Sequence, residues 1–306
     1  MSEAEEEAYT FRHDVNPATA ALTVRVVVDG PFSALKHTFF RSATGPPPDK
    51  AAVESQERKT VGFLAIVGTP AASRIVKWAQ SGHSHGRNGE VLAEDDRTLP
   101  NKIWARRAIA MANLLGFPRT PSFDNGLRRD LGEGEAEELK GIYKYSHVEV
   151  KLAVHAIYLV LRDFLPQARE PFTMDQLKVL KRARWSDGSK PEFRIVVSRM
   201  NCGNCKKMLD KLYQVTGVKF HPVIGQRVEN YKYEQQVVHR NKRRRDRDDE
   251  DGSSPDEAPP PSHLRTRPDP QTPPAKRIEG QAATPQSYPE KYLPGTPVYD
   301  WPTVPR

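Results

Sequence analysis

The chain has 306 residues, of which 37% are hydrophobic and 28% charged, with 27 prolines. So low an apolar share with so many prolines leaves part of the chain without enough surface to bury. No run of about 18 apolar residues exists, so no membrane span is expected, and the opening MSEAEEEAYT has no apolar stretch of the secretory kind. The only cysteines, Cys202 and Cys205, exclude a disulfide-stapled scaffold and point to a reducing compartment, cytosol or nucleus.

In chain order, residues 1–20 read as acidic and disordered. LTVRVVV (22–28) is β-branched and runs into Asp29-Gly30, which is the pattern of a strand and turn. GPFSALKHTFF reads as a short helix, and residues 45–60 as a Pro-rich, charged loop. VGFLAIVG (61–68) fits a buried strand or a buried helix. ASRIVKWAQ has helical spacing, and 81–97 is a polar loop. NKIWARRAIAMANLL (101–115) has apolar positions recurring at three and four and ends at Gly116, which predicts a helix. Residues 117–135 are turn-rich.

From 136 the pattern strengthens. In SHVEVKLAVHAIYLVLRDFL (146–165), Val150, Ala153, Val154, Ile157, Val160 and Leu161 recur every three to four residues, which predicts a long, central helix. Residues 173–184 read as an amphipathic basic helix and FRIVVSRM (193–200) as a strand. KKMLDKLYQV (206–215) is a helix ended by Gly217, and VKFHPVI (218–224) is a strand. No final helix and strand are evident after that, which leaves open whether the N-terminal half completes the sheet. Residues 251–306 hold 14 prolines, so 238–306 is expected to be a disordered tail, basic and then Pro-rich.

Charge is unevenly placed. Residues 1–139 carry 17 Lys/Arg against 19 Asp/Glu, 140–245 carry 23 against 9, and 246–306 carry 7 against 11, for a total of +8. The middle segment attracts polyanions, nucleic acid first among them. Its cations include Lys178, Lys181, Arg182, Arg184, Lys206, Lys207 and Lys211. The run Arg240, Lys242 and Arg243–Arg245 has the composition of a nuclear import signal or of a charged linker.

One constellation carries chemistry. His147-Val148-Glu149 opens the long helix, and Cys202-Gly203-Asn204-Cys205 opens another, after a strand. Zinc favours imidazole and thiolate, and a catalytic zinc keeps three protein ligands and an open position. Cysteines three apart in a first helical turn point the same way, and the positive helix end favours thiolate. His147, Cys202 and Cys205 are thus the candidate ligands. Glu149 is the candidate proton carrier between a zinc-activated water and a leaving amine. Each half has a plainer reading: a helix-capping histidine for His147, and a thioredoxin-like redox pair for the cysteines. His155 is read as packing, and His83 and His85 as loop histidines.

SHVEVKLA, a strand and NCGNCKKML together resemble the cytidine-deaminase-like superfamily of zinc-dependent nucleobase deaminases. The resemblance is nearest to the toxin-type nucleic-acid deaminases and their fungal relatives. It covers residues 136–224. It implies a three-layer α/β/α sandwich around a mixed sheet, with zinc held by His147, Cys202 and Cys205 and with Glu149 as general acid/base. The matching organisation is an α/β N-terminal extension of unknown role over 21–135, a zinc domain over 136–237 and the tail. Asn201 stands where the family commonly has proline, and 52 residues (150–201) separate Glu149 from Cys202. The implied substrate is cytosine, or adenine, in single-stranded DNA or RNA. A zinc-stabilised nucleic-acid-binding protein without catalysis and a Cys-x-x-Cys redox protein are the alternatives.

Overall fold

The computed structural model describes residues 8–28, 34–42, 47–67, 75–85, 92–120, 124, 129, 131–199 and 202–228. The chain divides into two units, Met1–Asn230 and Tyr231–Arg306, and all described residues lie in the first. The run at 240–245 and the Pro-rich tail are outside the described residues, as is Asn201.

Two four-stranded mixed sheets form the frame. Sheet 1 has the order β3 (Ala34–Phe39), β2 (Leu22–Val28), β1 (Tyr9–Val15), β8 (Gln226–Val228). Sheet 2 has the order β5 (Ile75–Gln80), β4 (Val61–Ile66), β6 (Glu192–Val197), β7 (Lys219–Ile224). The helices are α1 (Lys50–Glu57), α2 (Asn101–Leu114), α3 (Glu133–Glu138), α4 (Ile142–Tyr145), α5 (Val148–Phe164), α6 (Met174–Val179) and α7 (Gly203–Thr216), with a 3-10 turn at Leu180–Arg182. No helix among the described residues is long and apolar enough to cross a membrane.

Sheet 2 is the middle layer. Val61, Phe63, Ala65, Trp78 and Val196 meet Tyr9, Phe11, Leu22, Val24, Val26 and Phe39 of sheet 1. On the other face, Leu64, Ala79, Phe193, Ile195 and Val197 pack against α2, α5 and α7. Strand alternation gives each side of the sheet its own core. Each fully buried Val, Leu, Ile or Phe in these cores contributes roughly 1.5–3 kcal/mol. The mixed α/β class is as expected, and helices cover one face of a mixed sheet. The opposite face carries a second sheet where the α/β/α expectation has helices.

The helix at the centre is α5. Twelve of its 17 residues are buried, which is how a helix apolar nearly all round behaves. α7 crosses over between the parallel strands β6 and β7. Pro222, which lacks an N–H, sits in β7 at the sheet edge. The chain then bends at Gly225 into β8, which pairs with β1. A β-carbon at Gly225 would collide with the Phe11 ring, so only glycine lets the chain turn across the core here. The N-terminal half does supply strands to the closing sheet: β4 pairs antiparallel with β6, Gly62 opposite Val197.

Several local expectations are corrected. Residues 9–15, inside the stretch expected to be disordered, form β1, with Asn16 capping the following turn through Oδ1 to the Ala18 N–H. The segment at 30–40 read as a helix contains β3, whose Leu35, His37 and Phe39 alternate inward against β2. ASRIVKWAQ contributes β5 instead of a helix, because β-branched Ile75 and Val76 and aromatic Trp78 fit the edge of β4. The charged loop at 45–60 contains α1, started by Asp49, whose Oδ1 accepts from the Ala52 N–H at 2.8 Å. The basic helix of 173–184 is an α-turn with a Thr173/Gln176 capping box, tightening to 3-10 from Leu180. Its buried Leu177, Leu180 and Ala183 are three apart, the spacing that a 3-10 turn stacks.

Candidate metal centre

The N-termini of α5 and α7 meet above the sheet 2 face that the helices cover. His147 is the N-cap residue of α5, yet its ring makes no capping bond. Its Nδ1 instead lies 3.3 Å from Cys205 Sγ and 3.4 Å from Cys202 Sγ. Cys202 is the N-cap of α7, and its sulfur accepts from the Cys205 N–H at 3.3 Å. The two sulfurs are 2.8 Å apart and both thiols are free. All three donor atoms lie within 4.8 Å of one another. Cys205 is buried, while His147 and Cys202 are half-buried.

This donor set suits zinc. A tetrahedral zinc, bonded at ~2.3 Å to sulfur and ~2.0 Å to nitrogen, holds its donors roughly 3.5–3.8 Å apart. Both nitrogen–sulfur separations come close to that span. The two sulfurs, 2.8 Å apart, lie closer together than that span.

The electrostatics follow from the contacts. The contact with the Cys205 thiol, and then the bond to His147, bring the Cys202 thiol down to about 3, against the opposing effect of burial. Cys205 is pushed up by the same contact with Cys202 and by burial. His147 is raised by its bond to Cys202. Burial raises Glu149, which is only 3% exposed in the first turn of α5. The cluster therefore holds one thiolate readily, and a metal must displace the proton of the second.

Two residues that support the centre were not singled out in the sequence. Lys151 is fully buried, and its Nζ donates to Gln80 O at 2.5 Å, Gly82 O at 3.0 Å and Asn101 Oδ1 at 2.6 Å. It ties the first turn of α5 to the end of β5 and the start of α2. Its signal is a cation in the otherwise apolar middle of the helix sequence, four residues after His147. Gly62 is the other. A β-carbon there would lie 2.4 Å from Val196 O and 2.9 Å from Cγ1 of Val148, so the bare backbone lets α5 sit down on β4. Tyr143, half-exposed, places its ring 6.1 Å from the His147 ring.

The basic residues are spread along α7. Lys206 and Lys207 are exposed near the cysteines, and Lys211 lies midway. The backbone of Lys181 faces Gly217, at the far end of a 14-residue helix, roughly 20 Å away at 1.5 Å per residue. Lys206 pairs with Asp210 and Lys178 with Asp175. His155 is buried, edge-on to Trp104 at 4.7 Å. His83 and His85 lie near each other, with ring centroids 6.2 Å apart.

Comparison with protein-family models, with curated proteins and with solved structures finds no match for this chain.

Proposed function

We propose that the protein is a zinc-dependent hydrolytic deaminase acting on a nucleobase, cytosine first, in single-stranded nucleic acid. The observation that carries the reading is the convergence of His147 Nδ1, Cys202 Sγ and Cys205 Sγ beside the buried carboxyl of Glu149. On this reading α5 and α7 over sheet 2 are the deaminase core, and sheet 1 stands where the family has its far helix layer. Zinc, when bound, supplies the Lewis acidity that makes water a nucleophile near neutral pH.

The chain's own residues do the rest. His147, Cys202 and Cys205 hold the metal. Glu149, whose proton affinity burial raises, is placed to carry a proton from the water toward the leaving amine. Lys151 holds the first turn of α5, and so Glu149, in place. Exposed Lys206 and Lys207 beside the centre, Lys211 farther along α7, and Lys181 and Arg182 in the 3-10 turn offer cations to a polynucleotide backbone.

A second reading rests on the cysteines alone. Cys202 is the more exposed and the more acidic of the pair, and Cys205 is the buried thiol. That asymmetry is what a redox pair uses. Zinc per chain, measured by native mass spectrometry on protein purified without added metal, separates the readings. One zinc that is lost in Cys205→Ser supports the metal centre. No zinc, with a Cys202–Cys205 disulfide, supports the redox pair. Zinc without deamination of any single-stranded substrate supports a non-catalytic zinc-stabilised binding protein.

A further inference from the structure

We infer that the outer face of sheet 1 is a binding surface for the phosphate backbone of single-stranded nucleic acid, separate from the metal centre. Sheet 1 turns Tyr9, Phe11, Leu22, Val24, Val26, Leu35 and Phe39 toward the core. That apolar set fixes the register, since a slip of one residue would expose all of it. The register then decides what the other face presents. Arg12 lies directly opposite Arg25, and Arg25 directly opposite Lys36. With strands ~4.8 Å apart, three cations stand in a row about 10 Å long.

Such a row works against folding. Like charges directly opposite one another across strands are destabilising. One carboxylate relieves it in part: Asp14 lies 3.4 Å from Arg12 and 3.9 Å from Arg25. Both arginine side chains remain 57% exposed. The row ends at an open cavity of about 330 Å³ at the β3 edge, lined by Lys36, His37, Thr38, Phe40, Asp95 and Arg97. Phe40 is 57% exposed there, and Arg97 adds a fourth cation.

These groups suit one chemistry. Guanidinium forks grip phosphate oxygens two at a time. An exposed ring stacks on an unpaired base of any sequence. A sheet face with a cationic row and an aromatic at its end thus fits a single strand, with two or three phosphates on Arg12, Arg25 and Lys36 and a base on Phe40. The helices that carry the metal centre cover the opposite side of sheet 2, so this surface holds a strand whether or not the centre acts on it.

The test is fluorescence anisotropy of a labelled oligothymidine on the full chain. Thymine carries no amine, so binding is read apart from any deamination. The triple variant Arg12→Gln/Arg25→Gln/Lys36→Gln is expected to bind at least 10-fold more weakly. The slope of log affinity against log salt should fall by about 2, as loss of three phosphate contacts to a single strand requires. Phe40→Ala should weaken binding about 5-fold or more with the slope unchanged. The triple variant should melt no lower than wild type, because like charges are removed, whereas a merely structural row would show a loss. Wild-type affinity and slope in the triple variant would overturn the inference. So would displacement the other way: tight binding of a peptide with the acidic sequence Asp246–Asp251 and none of the oligonucleotide would mark the face as a seat for acidic protein segments. Absence of deamination elsewhere in the protein leaves these outcomes unchanged and counts only against the function proposed above.

Discussion

Gly62 in β4 and Val148, the residue between His147 and Glu149, approach so closely that a β-carbon on the glycine would lie 2.9 Å from Cγ1 of the valine. The candidate centre therefore rests on a strand from the other half of the chain. Gly62→Ala forces β4, Val196 or α5 to shift. Overpacking of this kind costs about 1–3 kcal/mol. Urea unfolding should show that loss, and zinc titration of the folded variant should show weaker binding, because the shift falls on the turn that carries His147.

Glu149 touches the proposed chemistry without holding the metal. Glu149→Gln keeps the shape and removes the titrating proton. The variant should bind one zinc per chain as wild type does and lose about 100- to 10,000-fold in deamination rate. The rate is read by uracil formation in a cytosine-containing oligonucleotide. Full activity in this variant would end the assignment of Glu149 as proton carrier.

Lys151 is a buried cation with three oxygen partners. Lys151→Met leaves Gln80 O, Gly82 O and Asn101 Oδ1 without their donor. Leaving a buried acceptor unpaired costs about 1–3 kcal/mol. Chemical denaturation should show it, and Lys151→Arg, too broad for the same three acceptors, should rescue little.

His13 is buried under sheet 1, and burial first, then Arg227 and Arg199, bring it down to about 3. The unfolded chain binds a proton near 6.5 while the folded chain does not, so stability is present above about 6.5 and falls as pH drops toward the folded value. From pH 7 to pH 5 this one group should cost about 2 kcal/mol. His13→Leu should remove that part of the slope. Thermal or urea melts at the two pH values measure it, and an unchanged slope would exclude His13 as its source.

Much of the helix layer was legible because it is written in short-range patterns. The 3.6 period of 146–165, the apolar recurrence of 101–115 ended by Gly116, and Gly217 after the cysteine helix each report on neighbours along one helix face. Strands β1, β3 and β5 were harder, whereas β-branched LTVRVVV gave β2. Ala34–Phe39 and Ile75–Gln80 are six residues each, too short for periodicity to outweigh what pairs with them. Asn16 and Asp49 show that the turn and cap signals were present, but their meaning depended on strands and helices not visible beside them.

The sequence by itself determined the candidate ligands, because zinc chemistry admits few residue types and His147, Glu149, Cys202 and Cys205 are of the right types, each at a helix start. It also determined the central helix and the excess of positive charge. Only the tertiary structure decided that the three donor atoms converge, that Gly62 and Lys151 hold α5 there, and that Arg12, Arg25 and Lys36 share one row within a segment whose net charge is slightly negative. The physical reason is the same in each case. A contact between residues far apart in the chain is set by strand register and packing across layers, and neither is encoded in the local period of hydrophobicity.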